Sequence, residues 1–240
     1  MKEMSESEAG IGDPGGPEQS VDLRGQLASV RDQGERPTCL AFAVTSAHEL
    51  ARSSRVDEPD DLSEEALYWG CKTVDGQWQP GTSFLSAATA LAKWGQPTED
   101  VWPYDQDRDD SMAYAPPSGV EPGDGWFRGE LTSVELDLDV LRRFLAEGRV
   151  VVIGILLTSG FFDPDDGEIP EPEVDESLWG GHAVVVAGFA DPGDSDQLII
   201  QNSWGSDWGD GGYAFLPYSY FKRFTREAWV IEAATHPGSD

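Results

Sequence analysis

The sequence predicts an α+β fold with two lobes, because helix-like and strand-like segments occupy different halves of the chain. Three segments in the first half, 39–54, 61–71 and 83–95, are rich in helix-forming residues and contain no proline. Segments in the second half are alternately or continuously apolar, as antiparallel strands are. This segregation favours a helical lobe beside an antiparallel β lobe, and active sites often lie between two such lobes.

Each predicted helix has a recognisable boundary. The run "CLAFAVTSAHELARSS" at 39–54 contains neither Pro nor Gly. In "DLSEEALYWGC" at 61–71, Ser63 followed by acidic residues indicates a capped start. In "SFLSAATALAKWG" at 83–95, Gly95 stands where a helix C-cap is expected. We therefore expect three helices in the first lobe.

The second half is predicted to contain strands, one short helix and one long loop. Strands are expected at 130–137, 150–157, 182–191, 197–204, 211–221 and 227–234. The run "LDVLRRFLAEGR" has a helical pattern ended by Gly148, and "DPGDSD" is typical of a turn. The acidic segment 161–181 is predicted to be a loop.

Composition separates a folded domain from the two ends of the chain. Residues 1–20 are rich in Ser, Glu, Gly and Pro, which predicts a disordered arm. They lack the apolar segment of a secretory signal. Residues 21–235 are predicted to form one domain, with a helical lobe over about 30–110 and a β lobe over about 111–235, and 236–240 form a tail.

The acidic composition limits the classes of partner. A formal net charge of −29 repels nucleic acid and anionic membrane surfaces, so neither is expected to bind. No apolar run approaches about 18 residues, so no membrane span is expected. The charge either keeps the protein soluble or forms an acidic surface that steers a basic substrate or partner. The loop at 161–181, with eight acidic residues within Asp163–Glu176, is either solvated or overhangs the cleft and favours Lys or Arg in the substrate.

Cysteine usage indicates a reducing environment. Cys39 and Cys71 are the only cysteines in the chain. They cannot form a disulfide framework, and no Cys-x-x-Cys metal pattern occurs, so no metal or cofactor is expected. Without a secretory signal, the cytoplasm is the expected compartment and both thiols are expected to be free.

Cys39 begins the first predicted helix. A cysteine in this position is either a buried, inert side chain or a thiol activated by its surroundings. The free N–H groups and the dipole at a helix N-terminus stabilise a thiolate and lower the pKa of the thiol. Pro37 helps to fix where the helix begins. Cys39 is therefore a candidate nucleophile.

A thiolate nucleophile needs an imidazole partner, and the chain has three histidines. His48 follows Cys39 by nine residues, which places it on the opposite face of the helix and about 13 Å along it. We interpret it as a surface or core histidine. His236 lies in the predicted tail. His182 remains as the candidate base, with a purely structural histidine as the alternative.

Three further residues can complete a site around His182. Asn202, 20 residues later, can return beside it at the end of the next strand and orient the imidazole without adding negative charge. Trp204 can cover that hydrogen bond. Gln33, six residues before Cys39, can donate to an oxyanion together with the Cys39 N–H. An ordinary turn around Gln33 and an aromatic, glycine-rich turn around Asn202 are the alternatives.

The segments "DQGERPTCLAF", "GGHAVVVAGF" and "IIQNSWGSDWGDGGY" together resemble the three signatures of the papain and cathepsin family of cysteine peptidases. Their order fits the family, as do the spacings of 143 residues from Cys to His and 20 from His to Asn. The resemblance covers roughly residues 21–235. It implies a papain-like α+β fold, with a helical lobe that carries Cys39, a β-barrel-like lobe that carries His182 and Asn202, and the active site between them. The implied roles are nucleophile Cys39, base His182, orienter Asn202 and oxyanion donor Gln33.

The resemblance also implies where a substrate binds. The implied substrate-binding residues are Gly81, Thr82, Phe84, Gly181, Trp204 and Trp208, of which the two tryptophans also shield the site. Thr82 stands where the family has a glycine that pairs with the substrate backbone, and Phe84 narrows the main specificity pocket. Arg36 replaces a disulfide cysteine, so the chain resembles a cytosolic-type member without disulfides. Since no pro-region is recognised, either the protein needs no zymogen or it is regulated by a partner protein or by the acidic loop, and we expect a narrow substrate range.

The leading hypothesis is a cysteine endopeptidase that hydrolyses peptide bonds in a narrow range of proteins. One alternative is an acyl-transfer enzyme, a peptide ligase or an amidase, with the same triad. A second alternative is a papain-fold binding module without turnover. The departure at Thr82 favours this module, whereas the intact set of Cys39, His182, Asn202 and Gln33 argues against it.

Overall fold

The computed structural model describes residues 20–53, 61–77, 79–110, 112–190 and 196–235. Most of the predicted arm, the predicted tail with His236, and most of the "DPGDSD" turn lie outside these ranges. Five helices are described: α1 (Cys39–Ser53), α2 (Glu64–Asp75), α3 (Phe84–Lys93), α4 (Leu138–Ala146) and α5 (Tyr218–Phe224). Seven strands are described: β1 (Ser20–Asp22), β2 (Arg128–Val134), β3 (Val151–Leu156), β4 (Gly181–Ala190), β5 (Gln197–Gln201), β6 (Tyr213–Pro217) and β7 (Thr225–Thr235).

The three predicted helices of the first lobe are confirmed, with the expected caps. The Ser63 hydroxyl accepts from the Ala66 N–H at 3.0 Å at the start of α2. Ser83 caps α3 in the same way, through the Ser86 N–H at 3.2 Å. Helix α3 ends at Lys93, and Gly95 beyond it has a φ of +79°. A Cβ at Gly95 would lie 2.2 Å from the carbonyl oxygen of Phe127, so both conformation and space require glycine.

Helix α1 lies in the middle of the molecule. It packs against α2 and α3 on one side and against β4 and β7 on the other. Accordingly its residues are buried on nearly every face, from Leu40 to Leu50. Its buried polar side chains have partners, as an interior position requires: His48 lies 2.9 Å from Gln96, and Glu49 binds Arg31 at 2.7 Å. This placement sets the first residue of α1 at the junction of the helical and β lobes.

The β lobe is an antiparallel, open sheet with strand order β2-β7-β3-β4-β5-β6, and β1 pairs with β4. Strand β4 is buried along most of its length, and it pairs with β3 from Val186 back to Gly181. It also pairs with β5, with Val185 opposite Gln201. Within the described residues β2 and β6 are not paired with each other, so the sheet does not close. The predicted α+β, two-lobe fold is confirmed.

One strand prediction needs correction, and one strand was missed. The predicted strand at 211–221 ends at Pro217, after which the chain forms α5. The buried side chains of α5 are spaced three or four residues apart, as on one face of a helix: Tyr218 and Phe221, and Tyr220 and Phe224. A helix buries all four against the core, which explains why this segment is helical. Strand β1 was not predicted, because three residues, of which only the middle one is partly buried, give no alternating pattern. Among the described residues, no helix is both long and apolar enough to span a membrane.

Candidate active site

Cys39 and His182 face one cavity of about 560 Å³ between the two lobes. The cavity walls come from the loop before α1, the start of α3, and strands β3, β4 and β7. Both the predicted nucleophile and the predicted base therefore meet in the concave junction that the fold creates, as expected for an active site in a two-lobe protein.

Cys39 is the first residue of α1 and is partly buried. Burial by itself raises the pKa of the Cys39 thiol. The charge of His182 and hydrogen bonds to the sulfur lower the pKa by more than burial raises it. Those hydrogen bonds come from the His182 side chain and from the backbone N–H groups of Ala183 and Leu40. The net result is a pKa below the ordinary value of a cysteine thiol.

Within the described part of the chain, Cys71 has no histidine beside its thiol, and its pKa is shifted in the opposite direction from that of Cys39. It is fully buried in the core, on α2. Burial raises the pKa of its thiol to about 12, and the negative charge of Asp75 acts in the same direction. Cys39 and Cys71 are both free thiols, so the two differ in environment and not in bonding state.

His182 is the second residue of β4, opposite Ile155 of β3. Its Nε2 lies 2.7 Å from Oδ1 of Asn202, which follows directly after β5. The pairing of β4 with β5 brings the two residues together, because Val185 stands opposite Gln201. The Trp204 ring lies 4.7 Å from the imidazole, between ring centroids, and covers this hydrogen bond.

The loop before α1 is attached to the loop after β5. The Gln33 N–H donates to the Ser203 carbonyl at 2.9 Å, and the backbones of Asp32 and Trp204 form an isolated antiparallel β-bridge. The Ser203 hydroxyl donates to Oε1 of Gln33 at 2.6 Å, while Gln33 Nε2 donates to the Arg36 carbonyl at 2.7 Å. The Gln33 amide is thus held at both ends at the wall of the cavity that contains Cys39.

The predicted substrate-binding residues divide into two groups. Five of them line the cavity: Gly81, Thr82, Phe84, Gly181 and Trp204. Trp208 does not line it. Its ring is buried behind Trp204 and Phe161, and its Nε1 donates to the Phe161 carbonyl at 3.1 Å. Trp208 therefore supports the wall and does not form it.

His48 is a core histidine, as one of the two sequence interpretations proposed. It is fully buried in α1, and its Nδ1 lies 2.9 Å from Oε1 of Gln96. Gln96 in turn donates to the Thr45 hydroxyl at 2.7 Å and to the Ser63 carbonyl at 3.0 Å. The histidine closest to Cys39 in sequence thus takes part in packing the helical lobe.

Sequence reasoning missed Ser203, Arg226 and Glu227. Ser203 binds Gln33, and the other two line the cavity from β7. Ser203 had one signal, its position next to Asn202, whereas nothing in the pattern of β7 distinguishes residues that face a cavity. Within the described residues, no group of three or more His, Cys, Asp or Glu side chains is arranged to hold a metal ion.

The sequence of this chain matches one protein family and resembles several of its members. The family model for the papain family of cysteine proteases matches residues 17–222. An uncharacterised peptidase C1-like protein of Acanthamoeba polyphaga mimivirus is 25% identical over 229 residues, covering 88% of this chain and 72% of that protein. Cathepsin K of Gallus gallus is 28% identical over 208 residues, covering 82% of this chain and 58% of its own. The chain therefore spans little more than half of that relative.

The fold is shared with a bacterial enzyme of known structure. Xylellain, a cysteine protease from Xylella fastidiosa, superposes with a TM-score of 0.80 at 24% identity, over 91% of this chain and 87% of that chain. At this level of identity the similarity establishes the fold alone.

Proposed function

Since the chain belongs to the papain family of cysteine proteases, we propose that it hydrolyses peptide bonds, with Cys39 as nucleophile and His182 as base and acid. One observation carries the proposal. Cys39 and the imidazole of His182 line the same open cavity, and Nε2 of that imidazole lies 2.7 Å from Oδ1 of Asn202. A nucleophile, a base and an orienting group in this order are what thiol catalysis needs.

The reaction proceeds in two halves. The Cys39 thiolate attacks the carbonyl carbon of the scissile bond, and the carbonyl oxygen becomes an oxyanion. The His182 imidazolium then protonates the departing amine as the C–N bond breaks, which leaves a thioester on Cys39. A water molecule, deprotonated by His182, attacks the thioester, and the acid product leaves as the thiolate re-forms. Proton and charge return to their starting positions.

Gln33 and the Cys39 backbone supply the oxyanion donors. Gln33 lines the cavity beside Cys39, and its amide is oriented by Ser203 and Arg36. The Cys39 N–H lies at the first position of α1, where the helix offers it no internal acceptor. Two such donors fixed before the reaction stabilise charge that develops only in the transition state.

A narrow substrate range is the second part of the proposal, and Phe84 supports it. The Phe84 ring reaches across to the β lobe, where it stacks on Trp229 with ring centroids 5.6 Å apart. It also packs on Gly154, where an added Cβ would lie only 2.9 Å from the ring. In the segment just before Phe84, buried Lys72 donates to the carbonyls of Gln79 and Gly81, each at 2.7 Å. The wall that Gly81 and Phe84 form is therefore fixed.

A preference for basic substrate residues is the third part. The acidic loop joins the site at both ends, because Phe161 packs on the His182 ring and Gly181 lines the cavity. Exposed Phe162 stacks on Trp204, and exposed Trp179 packs on Phe162. An aromatic surface within an acidic segment suits the stem and charge of Lys or Arg.

Turnover of a peptide substrate tests the proposal, with Cys39→Ala as the matched control. Release of new amino termini by the wild type, and none by Cys39→Ala, would support hydrolysis. Addition of a free amine separates the acyl-transfer alternative, because a ligase or transferase would form the amide product in place of the acid. Binding of peptides by both proteins without any turnover would contradict the proposal and favour the binding module.

A further inference from the structure

We propose that Arg36 is a positioning residue for the oxyanion donor Gln33, acting through an ion-pair network that fixes the loop between Gln33 and α1. The inference rests on the proposed function, which assigns Gln33 to the oxyanion, and adds what holds its amide in the productive orientation. Arg36 lines the cavity, but within the part of the chain that the structure describes its side-chain hydrogen bonds go to Glu65, Asp110 and Asp105 and not to Cys39 or His182, so its role is indirect.

The backbone of Arg36 selects the orientation of the Gln33 amide. The Arg36 carbonyl accepts from Gln33 Nε2 at 2.7 Å, and the Ser203 hydroxyl donates to Oε1 at 2.6 Å. A flipped amide would turn its oxygen towards the Arg36 carbonyl, where two acceptors repel. The observed orientation uses one hydrogen of the NH₂ group and leaves the second for an acceptor in the cavity.

The side chain of Arg36 fixes that carbonyl in space. The guanidinium has five N–H donors, and five hydrogen bonds use all of them. Two go to the Glu65 carboxylate at 2.5 and 3.1 Å and two to the Asp110 carboxylate at 2.8 and 2.9 Å. The fifth goes to the Asp105 carbonyl at 2.7 Å. Because hydrogen bonds hold the planar guanidinium on all sides, its position is fixed. The Arg36 backbone, including the carbonyl that binds Gln33, is fixed with it.

The network is buried, which makes it rigid. Arg36 is 4% exposed and Glu65 is fully buried, so water does not compete for these bonds. The Tyr104 ring lies 4.7 Å from the guanidinium carbon, measured to the ring centroid. The Tyr104 hydroxyl donates to the Gln33 carbonyl at 2.8 Å. The same cluster therefore holds Gln33 by its backbone as well as by its side chain.

Lysine at this position would keep the charge and lose the geometry. An ammonium group has three donors and no plane, so it cannot bind Glu65 and Asp110 in the forked manner of Arg36. Any shift of the loop moves the carbonyl of residue 36 and with it the Gln33 amide. Oxyanion donors act through placement, and a displacement of about 1 Å costs much of their effect.

The test is a double-mutant cycle with Arg36→Lys, Gln33→Ala and the double variant. We expect Arg36→Lys to lower kcat about tenfold with KM changed less than about twofold, and Gln33→Ala to lower kcat about 100-fold. In the Gln33→Ala background, Arg36→Lys should change kcat less than about twofold, because its effect passes through Gln33. Arg149→Lys is the matched control, since Arg149 binds the Ile231 carbonyl and the Glu232 carboxylate, each at 3.0 Å, and does not line the cavity. Its kcat should equal that of the wild type.

Alkylation of Cys39 by iodoacetamide separates positioning from general damage. This reaction forms an S–C bond and releases iodide, so it needs the thiolate but no oxyanion donor. Arg36→Lys should keep the wild-type alkylation rate at each pH. An equal loss of alkylation, additive effects with Gln33→Ala, or unchanged kcat would each overturn the inference. If Arg36→Lys does not fold, Asp110→Asn replaces it in the same measurements, because it weakens the hold on Arg36 while the bonds from Arg36 to Glu65 remain. The same changes in kcat and in alkylation are then expected.

The cycle also separates this inference from the proposed function. Wild-type kcat in Gln33→Ala would overturn the oxyanion assignment itself. A slow Gln33→Ala variant with an independent effect of Arg36→Lys would overturn only the positioning role.

Discussion

His182 and Asn202 form the hydrogen bond on which the orientation of the candidate base depends: Nε2 of the imidazole lies 2.7 Å from Oδ1 of the amide. The amide oxygen is itself fixed, because the Ser203 N–H donates to it at 2.8 Å. The imidazole ring can therefore present its other nitrogen only towards Cys39. Trp204 covers the bond with its ring 4.7 Å from that of His182, between centroids.

Asn202→Ala is expected to lower kcat by about 100-fold, because it removes the group that orients the general acid and base. Asn202→Asp keeps an oxygen acceptor and should lose less. Steady-state kinetics on a peptide substrate gives both values, and thermal unfolding shows whether the fold is retained. A folded Asn202→Ala variant with kcat within threefold of the wild type would contradict the role of this residue.

Ser203→Ala is expected to lower kcat by about tenfold, because the Gln33 amide loses the donor to Oε1 at 2.6 Å. Ser46→Ala is the matched control. Ser46 donates to the Gln201 side chain at 2.7 Å, a bond of the same type that does not involve the cavity with Cys39. Its kcat should equal that of the wild type. Equal losses in the two variants would show that only packing is affected.

Peptides that differ in one residue on the leaving-group side test the acidic loop. A peptide with Lys should be cleaved several-fold faster than its Glu counterpart, and salt should reduce the difference. The double variant Asp163→Asn/Asp175→Asn should weaken the preference, whereas Glu121→Gln/Asp124→Asn, an equal change of charge away from the loop, should not. Equal turnover of both peptides at low salt is the result that this account does not allow.

The buried carboxyl of Glu64 predicts how stability depends on pH. Burial raises the pKa of Glu64 from 4.5 to about 8, and the negative charge of Glu49 adds to this, although both bind Arg31. Between these values the folded protein retains a proton that the unfolded chain has released. The free energy of unfolding should therefore fall as pH rises from 5 to 8, by about 2–4 kcal/mol from this group.

Glu64→Gln should reduce that fall without abolishing it, because burial raises the pKa of Glu49 as well. Asp61→Asn is the control, since this exposed side chain also binds Arg31, at 2.5 Å. Denaturant unfolding at pH 5 and 8 gives the comparison. The prediction fails if Glu64→Gln and the wild type lose equal stability across this range.

The sequence alone was sufficient for the fold class and for bringing Cys39, His182 and Gln33 to one cavity, since caps, periodicity and three separate motifs agreed. It was not sufficient for contacts made by tertiary folding. Arg36 binds Asp105 and Asp110, which follow it by 69 and 74 residues in the chain. No local sequence pattern links residues so far apart. Trp208 shows the converse, because its motif predicts a substrate contact while packing behind Trp204 buries it.

Helix α5 illustrates a second limit. The apolar run through Tyr218 and Phe221 suits both a buried strand and a buried helix, and the choice depends on the core that α5 covers next to β6. Short apolar segments of this kind take their conformation from their neighbours, which the sequence does not specify locally.

The pH dependence of iodoacetamide alkylation at Cys39, with Cys71 in the same chain as the internal comparison, tests the central claim most directly. We predict that Cys39 reacts at a lower pH than an ordinary cysteine thiol, because His182 and the start of α1 lower its pKa, and that His182→Ala removes this reactivity. Cys71 should stay unreactive under the same conditions, because burial raises its pKa to about 12. A Cys39 thiol that reacts only at alkaline pH, or identically in His182→Ala, would contradict the thiolate–imidazolium pair and the catalytic site built on it.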